Sequence, residues 1–241
     1  MIEKTRAIVL SSIKYGESQF IVDLFTESWG RLSFMVRLPK SGKGKVKRQY
    51  FQPLTLLRIG FDYRPKLDLQ KLQEASLDAP LMGITMDPIK ISLALFLAEF
   101  LTYATRCEQD NHPLFSFIYN SILWLDGTQS VPANFHIVFM IHLSLFLGFP
   151  PNIEIGENDV YFDLQEGCFV PTVPTHRHFL SVADSQRLKV LFRLRYETMH
   201  LYSMSRTERN HCVEVILDYY RLHVPGFPEI KSLSVLRELF G

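Results

Sequence analysis

Cationic side chains are concentrated in one short stretch of this sequence, between residues 37 and 48. Six of its twelve residues are lysine or arginine, and none is acidic. Two glycines, a serine and a proline in the same stretch disfavour a helix or a long strand and predict a loop. A flexible cationic loop can neutralise the phosphates of a nucleic acid, whereas a solvated surface loop without a ligand is the alternative. The six cationic residues are Arg37, Lys40, Lys43, Lys45, Lys47 and Arg48.

Three further residues near this loop suit the same ligand. Arg31 adds a cation shortly before the loop, and Tyr15 and Tyr50 stand at the ends of predicted strands. Tyrosine rings can stack on unpaired bases, while lysine and arginine follow the phosphates. We therefore count Arg31, Tyr15 and Tyr50 with the loop cations as candidate DNA contacts.

The residue types that carry catalysis or hold a metal do not form a recognisable pattern. There is no phosphate-binding glycine loop and no Gly-x-Ser-x-Gly motif. Cys168, His176 and His178 are close in sequence, but they lack the paired spacing of a zinc site. We predict no catalytic residue, no metal and no cofactor, and hence no enzyme. Two alternatives stay open: a metal-dependent nucleic-acid enzyme, and a protein-binding scaffold whose basic loop meets an acidic partner.

The first 80 residues read as five strands separated by turns, and the basic loop falls between the third and the fourth. This segment holds 14 cationic and 8 acidic residues, whereas the remainder holds 12 and 17. Five strands in so short a segment predict an OB-type barrel. We expect residues 1–80 to form a DNA-binding OB-fold domain.

From residue 81 to 241 the apolar residues fall at helical spacing, interrupted by a β-hairpin within residues 150–178. The predicted fold class is therefore α+β: an N-terminal OB-fold barrel followed by a mostly helical C-terminal domain with a small hairpin insertion. No apolar run reaches the length of a membrane span. The three cysteines are sparse and odd in number, which favours reduced thiols. We expect a soluble cytoplasmic protein without a membrane partner.

Several short motifs, in this order and spacing, are shared with one bacterial family. They are Thr5–Leu10, Tyr15–Ser18, Gly30–Leu32, Gln52–Leu54, Leu147–Pro151 and Tyr219–His223. With these motifs the chain resembles the RecO family of recombination mediators along its whole length. The resemblance implies binding of single- and double-stranded DNA, annealing of complementary strands, and loading of RecA onto DNA coated with the single-stranded-DNA-binding protein SSB. It also implies RecR and the C-terminal tail of SSB as partners, and a cytoplasmic, nucleoid-associated location.

The sequence departs from the family in one respect. Many members carry two Cys-x-x-Cys zinc pairs after the Gly-Tyr-x-Pro step, but residues 152–159 contain no cysteine and only Cys168 lies near the position of the second pair. We therefore interpret residues 150–178 as a metal-free remnant of the zinc module. For the acidic SSB tail, a cationic rim on the helical domain is one candidate and an ordinary solvated helix face is the alternative. The rim would consist of Arg187, Lys189, Arg193 and Arg195.

Overall fold

The structure, a computed structural model, describes residues 2–37, 46–156 and 158–238. These residues group into two compact units. The first comprises the chain up to Gln129 with Ile230–Leu236, and the second comprises Ser130–Glu229 with the described residues from Arg237 onward. The strands are β1 Ile2–Lys14, β2 Gln19–Thr26, β3 Gly30–Arg37, β4 Leu56–Asp62, β5 Leu69–Ala79, β6 Tyr161–Asp163 and β7 Cys168–Val170. The helices are α1 Met82–Met86, α2 Pro88–Ala104, α3 His112–Gly127, α4 Phe135–Phe146, α5 Val182–Leu191, α6 Arg206–His223 and α7 Leu233–Glu238, with 3-10 helices at Arg48–Phe51 and Met199–Leu201.

The first five strands form a closed barrel in the order β1-β2-β3-β5-β4, which confirms the predicted OB-type fold. Strand β1 is long enough to pair with β2 along its second half and with β4 along its first half. The parallel pairing of β3 with β5 completes the barrel. The register of β1 against β2 shifts between Val9 and Ser11. Such a bulge bends and twists a strand, which allows β1 to serve both neighbours.

Residues from all five strands fill the barrel interior, mostly at every second position. Val9, Leu24, Phe34, Leu57 and Phe61 are all fully buried there. The rings of Phe34 and Phe61 meet edge to face with 5.0 Å between their centroids. The sequence signals for the strands were apolar, β-branched and aromatic runs separated by turns, with apolar and polar residues alternating in residues 66–70.

The connection between β3 and β4 differs from the prediction. The sequence predicts a long strand-like run from residue 50 to 63, with an edge or a bulge near Pro53, but Arg48–Phe51 is a 3-10 helix and β4 begins only at Leu56. Phe51 of that turn is buried in the barrel core, and Tyr50 packs against the core. A single helical turn therefore closes this end of the barrel.

Helices α2 and α3 pack against the outer side of the barrel. Phe25 on β2 meets Phe115 on α3 with 6.1 Å between ring centroids. Arg31 on β3 donates through Nη1 to the backbone oxygen of Thr102 on α2 at 2.6 Å. By packing, α2 and α3 therefore belong to the same compact unit as the barrel, whose first segment ends at Gln129.

Helix α4 lies at the centre of the second unit, and nearly all of its residues are buried. Two adjacent tyrosines of α6 bind the α4 segment from different sides. The hydroxyl of Tyr220 donates to the backbone oxygen of Met140, and that of Tyr219 donates to the backbone oxygen of Phe149. Burial raises the pKa of Tyr219 to about 12, so its hydroxyl remains a donor at neutral pH. In the part of the chain that the structure describes, no helix is both long and apolar enough to cross a membrane.

The predicted hairpin is present as β6 and β7, and Asp163 organises it. One carboxylate oxygen of Asp163 accepts from the backbone nitrogens of Gln165 and Glu166 in the turn. The other lies 3.1 Å from Nε2 of His176. Phe162 and Phe169 pack beneath the hairpin against Tyr219 of α6. A carboxylate with backbone donors and a histidine therefore stabilises this insertion.

The buried His136 of α4 makes the folded state sensitive to acid. Burial, together with the positive charge of Arg209, lowers the pKa of His136 to about 3, whereas an unfolded histidine titrates near 6.5. Below pH 6.5 the unfolded state takes up a proton that the folded state does not. We expect the free energy of unfolding to fall by about 2 kcal/mol between pH 8 and pH 5.

Urea unfolding at the two pH values measures this difference. The variant His136→Gln should show a markedly smaller pH dependence than the unmodified protein. Burial also lowers the pKa of His142, so His142→Gln should remove part of the remainder. If the free energy of unfolding of the His136→Gln variant depends on pH as strongly as that of the unmodified protein, His136 is not the group that causes the dependence.

Candidate nucleic-acid interface

One end of the barrel collects cationic and aromatic side chains from three strands. Lys14 at the end of β1 lies opposite Phe20 of β2, and Gln19 lies opposite Arg37 at the end of β3. Tyr15 follows in the β1–β2 turn, where its backbone nitrogen donates to the oxygen of Gln19. Its side chain is 58% exposed. The antiparallel register therefore places Lys14, Tyr15 and Arg37 at the same end of the sheet.

The 3-10 helix adds two more cations at this end. The guanidinium of Arg48 lies over the ring of Phe20, with 5.4 Å from Cζ to the centroid. The ammonium of Lys47 lies 5.9 Å from the centroid of Tyr50. Both cations are exposed, while the two rings beneath them are buried or half-buried. Contact with a ring positions a cation without neutralising its charge. We call Lys14, Tyr15, Arg37, Lys47, Arg48 and Tyr50 the cationic end of the barrel.

Ion pairing separates this end from the rest of the barrel. Arg6, Arg31, Arg58 and Arg64 each have a nitrogen within 3.3 Å of a carboxylate oxygen. Within residues 2–37, 46–156 and 158–238, the four cations of the cationic end form no ion pair. Their positive charge is therefore available to an external anion.

The structure divides the residues that the sequence proposed as DNA contacts. Tyr15, Arg37, Lys47, Arg48 and Tyr50 come together at the cationic end. Lys40, Lys43 and Lys45 lie outside the described residues.

Arg31 lies elsewhere on β3 and has a structural role. Its Nη2 is 3.1 Å from Oδ2 of Asp23, and its Nη1 donates to Thr102. The hydroxyls of Ser11 and Ser33 donate to the same carboxylate. Because its guanidinium is occupied by these partners, we leave Arg31 out of the proposed DNA contacts.

Sequence reasoning missed Lys14. It is a single lysine at the end of β1, away from the dense basic loop, so its charge did not stand out. One signal was available, since it directly precedes Tyr15 at a turn containing a glycine. Only the β1–β2 register shows that it shares an end of the barrel with Arg37, which is 23 residues away.

The described cysteine and histidine residues do not form a cluster that could hold a zinc ion. Among the described residues, no three side chains of His, Cys, Asp or Glu are placed to hold a metal ion. Near the hairpin, Asp163 and His176 bind each other instead. Cys212 is buried with its Sγ 3.8 Å from Sδ of Met204, and burial raises its pKa to about 11. A thiol with so high a pKa is a poor nucleophile at neutral pH.

The candidate rim for an acidic peptide on α5 is only partly free. Arg187 pairs with Asp184 at 3.1 Å and with Glu208 at 3.0 Å. Arg193 and Arg195, which follow α5, are exposed, and Lys189 is half-buried. Arg187 therefore connects α5 to α6. Lys189, Arg193 and Arg195 remain as candidate contacts for an acidic ligand.

Comparison with known proteins shows the family. Residues 1–80 match the family model "Recombination protein O N terminal", and residues 86–233 match "Recombination protein O C terminal". The DNA repair proteins RecO of Phocaeicola vulgatus and Bacteroides fragilis are each 46% identical over 241 residues, which span the whole of both chains. RecO of Christiangramia forsetii is 36% identical, again over the full length. The chain therefore belongs to the recombination protein O family of DNA repair proteins.

Proposed function

We propose that this protein is a recombination mediator that binds single- and double-stranded DNA and anneals complementary strands without catalysing a covalent reaction. The observation that carries the proposal is the cationic end of the barrel. Four cations without ion pairs among the described residues lie there beside an exposed tyrosine, on the side from which the basic loop continues. Family membership supports a role in DNA repair.

The physical basis of binding is neutralisation of phosphates. Each phosphate contact releases condensed counterions, so affinity for a single strand should fall with salt with a logarithmic slope of about −0.7 per contact. Two strands that approach each other repel through their phosphates. Cations from Arg37 and Lys47, together with the loop lysines, reduce that repulsion and so favour annealing.

The partners follow from the family resemblance. We propose that the protein contacts RecR and the acidic C-terminal tail of SSB, and helps RecA to load onto SSB-coated DNA during gap and break repair. Lys189, Arg193 and Arg195 are the remaining candidate contacts for the tail, because an acidic peptide needs a cationic rim beside an apolar groove. We place this activity at chromosomal DNA, in the cytoplasm and associated with the nucleoid.

Annealing of complementary oligonucleotides, bare and coated with SSB, tests the proposal. The unmodified protein should accelerate annealing of both. The triple variant Lys43→Ala, Lys45→Ala, Lys47→Ala should anneal on the order of tenfold more slowly at 0.1 M salt, because about three phosphates are no longer neutralised. A variant with the same charge change elsewhere on the barrel (Lys4→Ala, Arg64→Ala, Lys66→Ala) is the control. Equal annealing by the unmodified protein and the loop variant would exclude the loop as the DNA site.

A further inference from the structure

A row of aliphatic side chains crosses the outer surface of the barrel beside its cationic end. Ile13 of β1 lies opposite Ile21 of β2, and Ile21 lies opposite Met35 of β3. Met35 in turn pairs with Lys71 of β5. Ile13 is 63% exposed, and Ile21 and Met35 are half-buried. We call Ile13, Ile21 and Met35 the apolar row.

The strand register shows why these residues face outward. Their neighbours Phe20, Val22 and Phe34 are buried in the barrel core, and successive side chains of a strand point to opposite faces. In β1, the bulge between Val9 and Ser11 changes which residues face outward, so that Ile13 joins the outer face. The apolar row is therefore part of the regular sheet, on a surface whose shape the barrel determines.

The two rows that flank the apolar row differ in charge. On one side, two residues away along β2 and β3, lie Gln19 and Arg37, of which Arg37 belongs to the cationic end. Two residues along a strand correspond to about 7 Å. On the other side, Ser11, Asp23 and Ser33 form a hydrogen-bonded row in which Arg31 pairs with the carboxylate. The apolar row thus lies between the cationic end, on the side of Arg37, and the row in which Arg31 neutralises Asp23. Lys71 lies at one end of the apolar row.

We infer that the apolar row packs against the unpaired bases of a single strand whose phosphates contact Arg37 and Lys71. This inference rests on the proposed function and adds the form of DNA that the site prefers. Isoleucine and methionine side chains pack against base faces where stacking is broken. Three strands spaced by about 4.8 Å give the row a length of about 10 Å, or about 14 Å with Lys71, enough for a few bases at about 3.4 Å each. In a duplex the base faces are covered by the neighbouring bases, so only the cations can contact the DNA, through its phosphates.

The variant Ile13→Thr, Ile21→Thr, Met35→Gln tests this inference, since threonine keeps the β-branched shape that suits a strand. Fluorescence anisotropy would compare binding of a labelled thymidine oligonucleotide, the same oligonucleotide without bases, and a hairpin duplex. We expect the variant to bind the thymidine strand about tenfold more weakly, with unchanged duplex affinity and salt slope. The control variant is Leu67→Thr, Leu77→Thr, which changes exposed leucines elsewhere on the barrel and should bind all three ligands normally.

The abasic strand supplies the decisive comparison, because it retains phosphates but offers no base to pack. The unmodified protein should bind it about tenfold more weakly than the thymidine strand, and the row variant should bind the two equally. Unchanged binding of the thymidine strand by a folded row variant would overturn the inference, and so would an equal loss for strand and duplex. The inference would also be overturned if the row variant bound DNA normally but no longer bound an acidic protein. If the unmodified protein binds neither strand nor duplex at low salt, the proposed function itself fails.

Discussion

Replacing the four cations of the cationic end by glutamine is expected to abolish most of the salt-dependent binding of single-stranded DNA. The variant is Lys14→Gln, Arg37→Gln, Lys47→Gln, Arg48→Gln. Because four phosphates are then no longer neutralised, the slope of log affinity against log salt should become shallower by about 3. The same change corresponds to a decrease in affinity on the order of 1000-fold at 0.1 M salt and to almost none near 1 M. Anisotropy titrations at several salt concentrations measure both quantities.

A matched control separates the position of these charges from their number. Lys4, Arg58, Arg64 and Lys66 lie elsewhere on the same barrel, and their replacement by glutamine changes the net charge equally. Three of them pair with carboxylates. The pairs of Lys4 and Arg64 are exposed and contribute little to stability, whereas Asp78, the partner of Arg58, is largely buried and keeps the hydroxyl of Tyr119 as a donor. We expect the control variant to change the slope by less than about one. Equal effects of the two variants would show that net charge, rather than the cationic end, determines affinity.

The substitution Gly30→Ala is expected to destabilise the first unit by about 2 to 5 kcal/mol. Gly30 has a φ of +62°, where a side chain costs about 1 to 2 kcal/mol. A Cβ atom there would also lie 2.3 Å from the backbone oxygen of Gln109 and 2.5 Å from that of Glu108. Relieving this overlap must move the α2–α3 connection away from β3, at a further cost of about 1 to 3 kcal/mol. Urea unfolding monitored by tryptophan fluorescence measures the total.

Gly16 provides the comparison for this prediction. It also has a positive φ, +83°, but nothing lies within 4 Å of the position that a Cβ would occupy. Gly16→Ala should therefore cost only the backbone contribution of about 1 to 2 kcal/mol. If the two variants unfold at the same urea concentration, the overlap of the new Cβ atom at position 30 with the backbone oxygen of Gln109 does not contribute to the loss of stability.

Local sequence patterns were sufficient for most of the architecture. Apolar, β-branched and aromatic runs between turns located β1 to β3, helical spacing located the helices, and the turn at Gly167 located the hairpin. The strand β5 was the main failure, since only residues 66–70 were predicted and the strand runs from Leu69 to Ala79. Its inward residues Leu72 and Ala75 are three apart, because the register against β4 shifts between Gly60 and Phe61. A bulge interrupts the period of two on which such predictions depend.

The sequence by itself favours a polyanion as the ligand, because a dense run of lysine and arginine without acids attracts one whatever the fold. The sequence could not show which of the cations are held in ion pairs. Arg31 and Arg37 lie six residues apart on one strand. Arg31 is held by Asp23 and Thr102, whereas Arg37 is exposed at the end of β3. Lys14 joins Arg37 only through pairing of β1 and β3 with β2. Ion pairing and shared surfaces depend on residues far apart in the chain, so they are set by how the folded barrel brings those residues together.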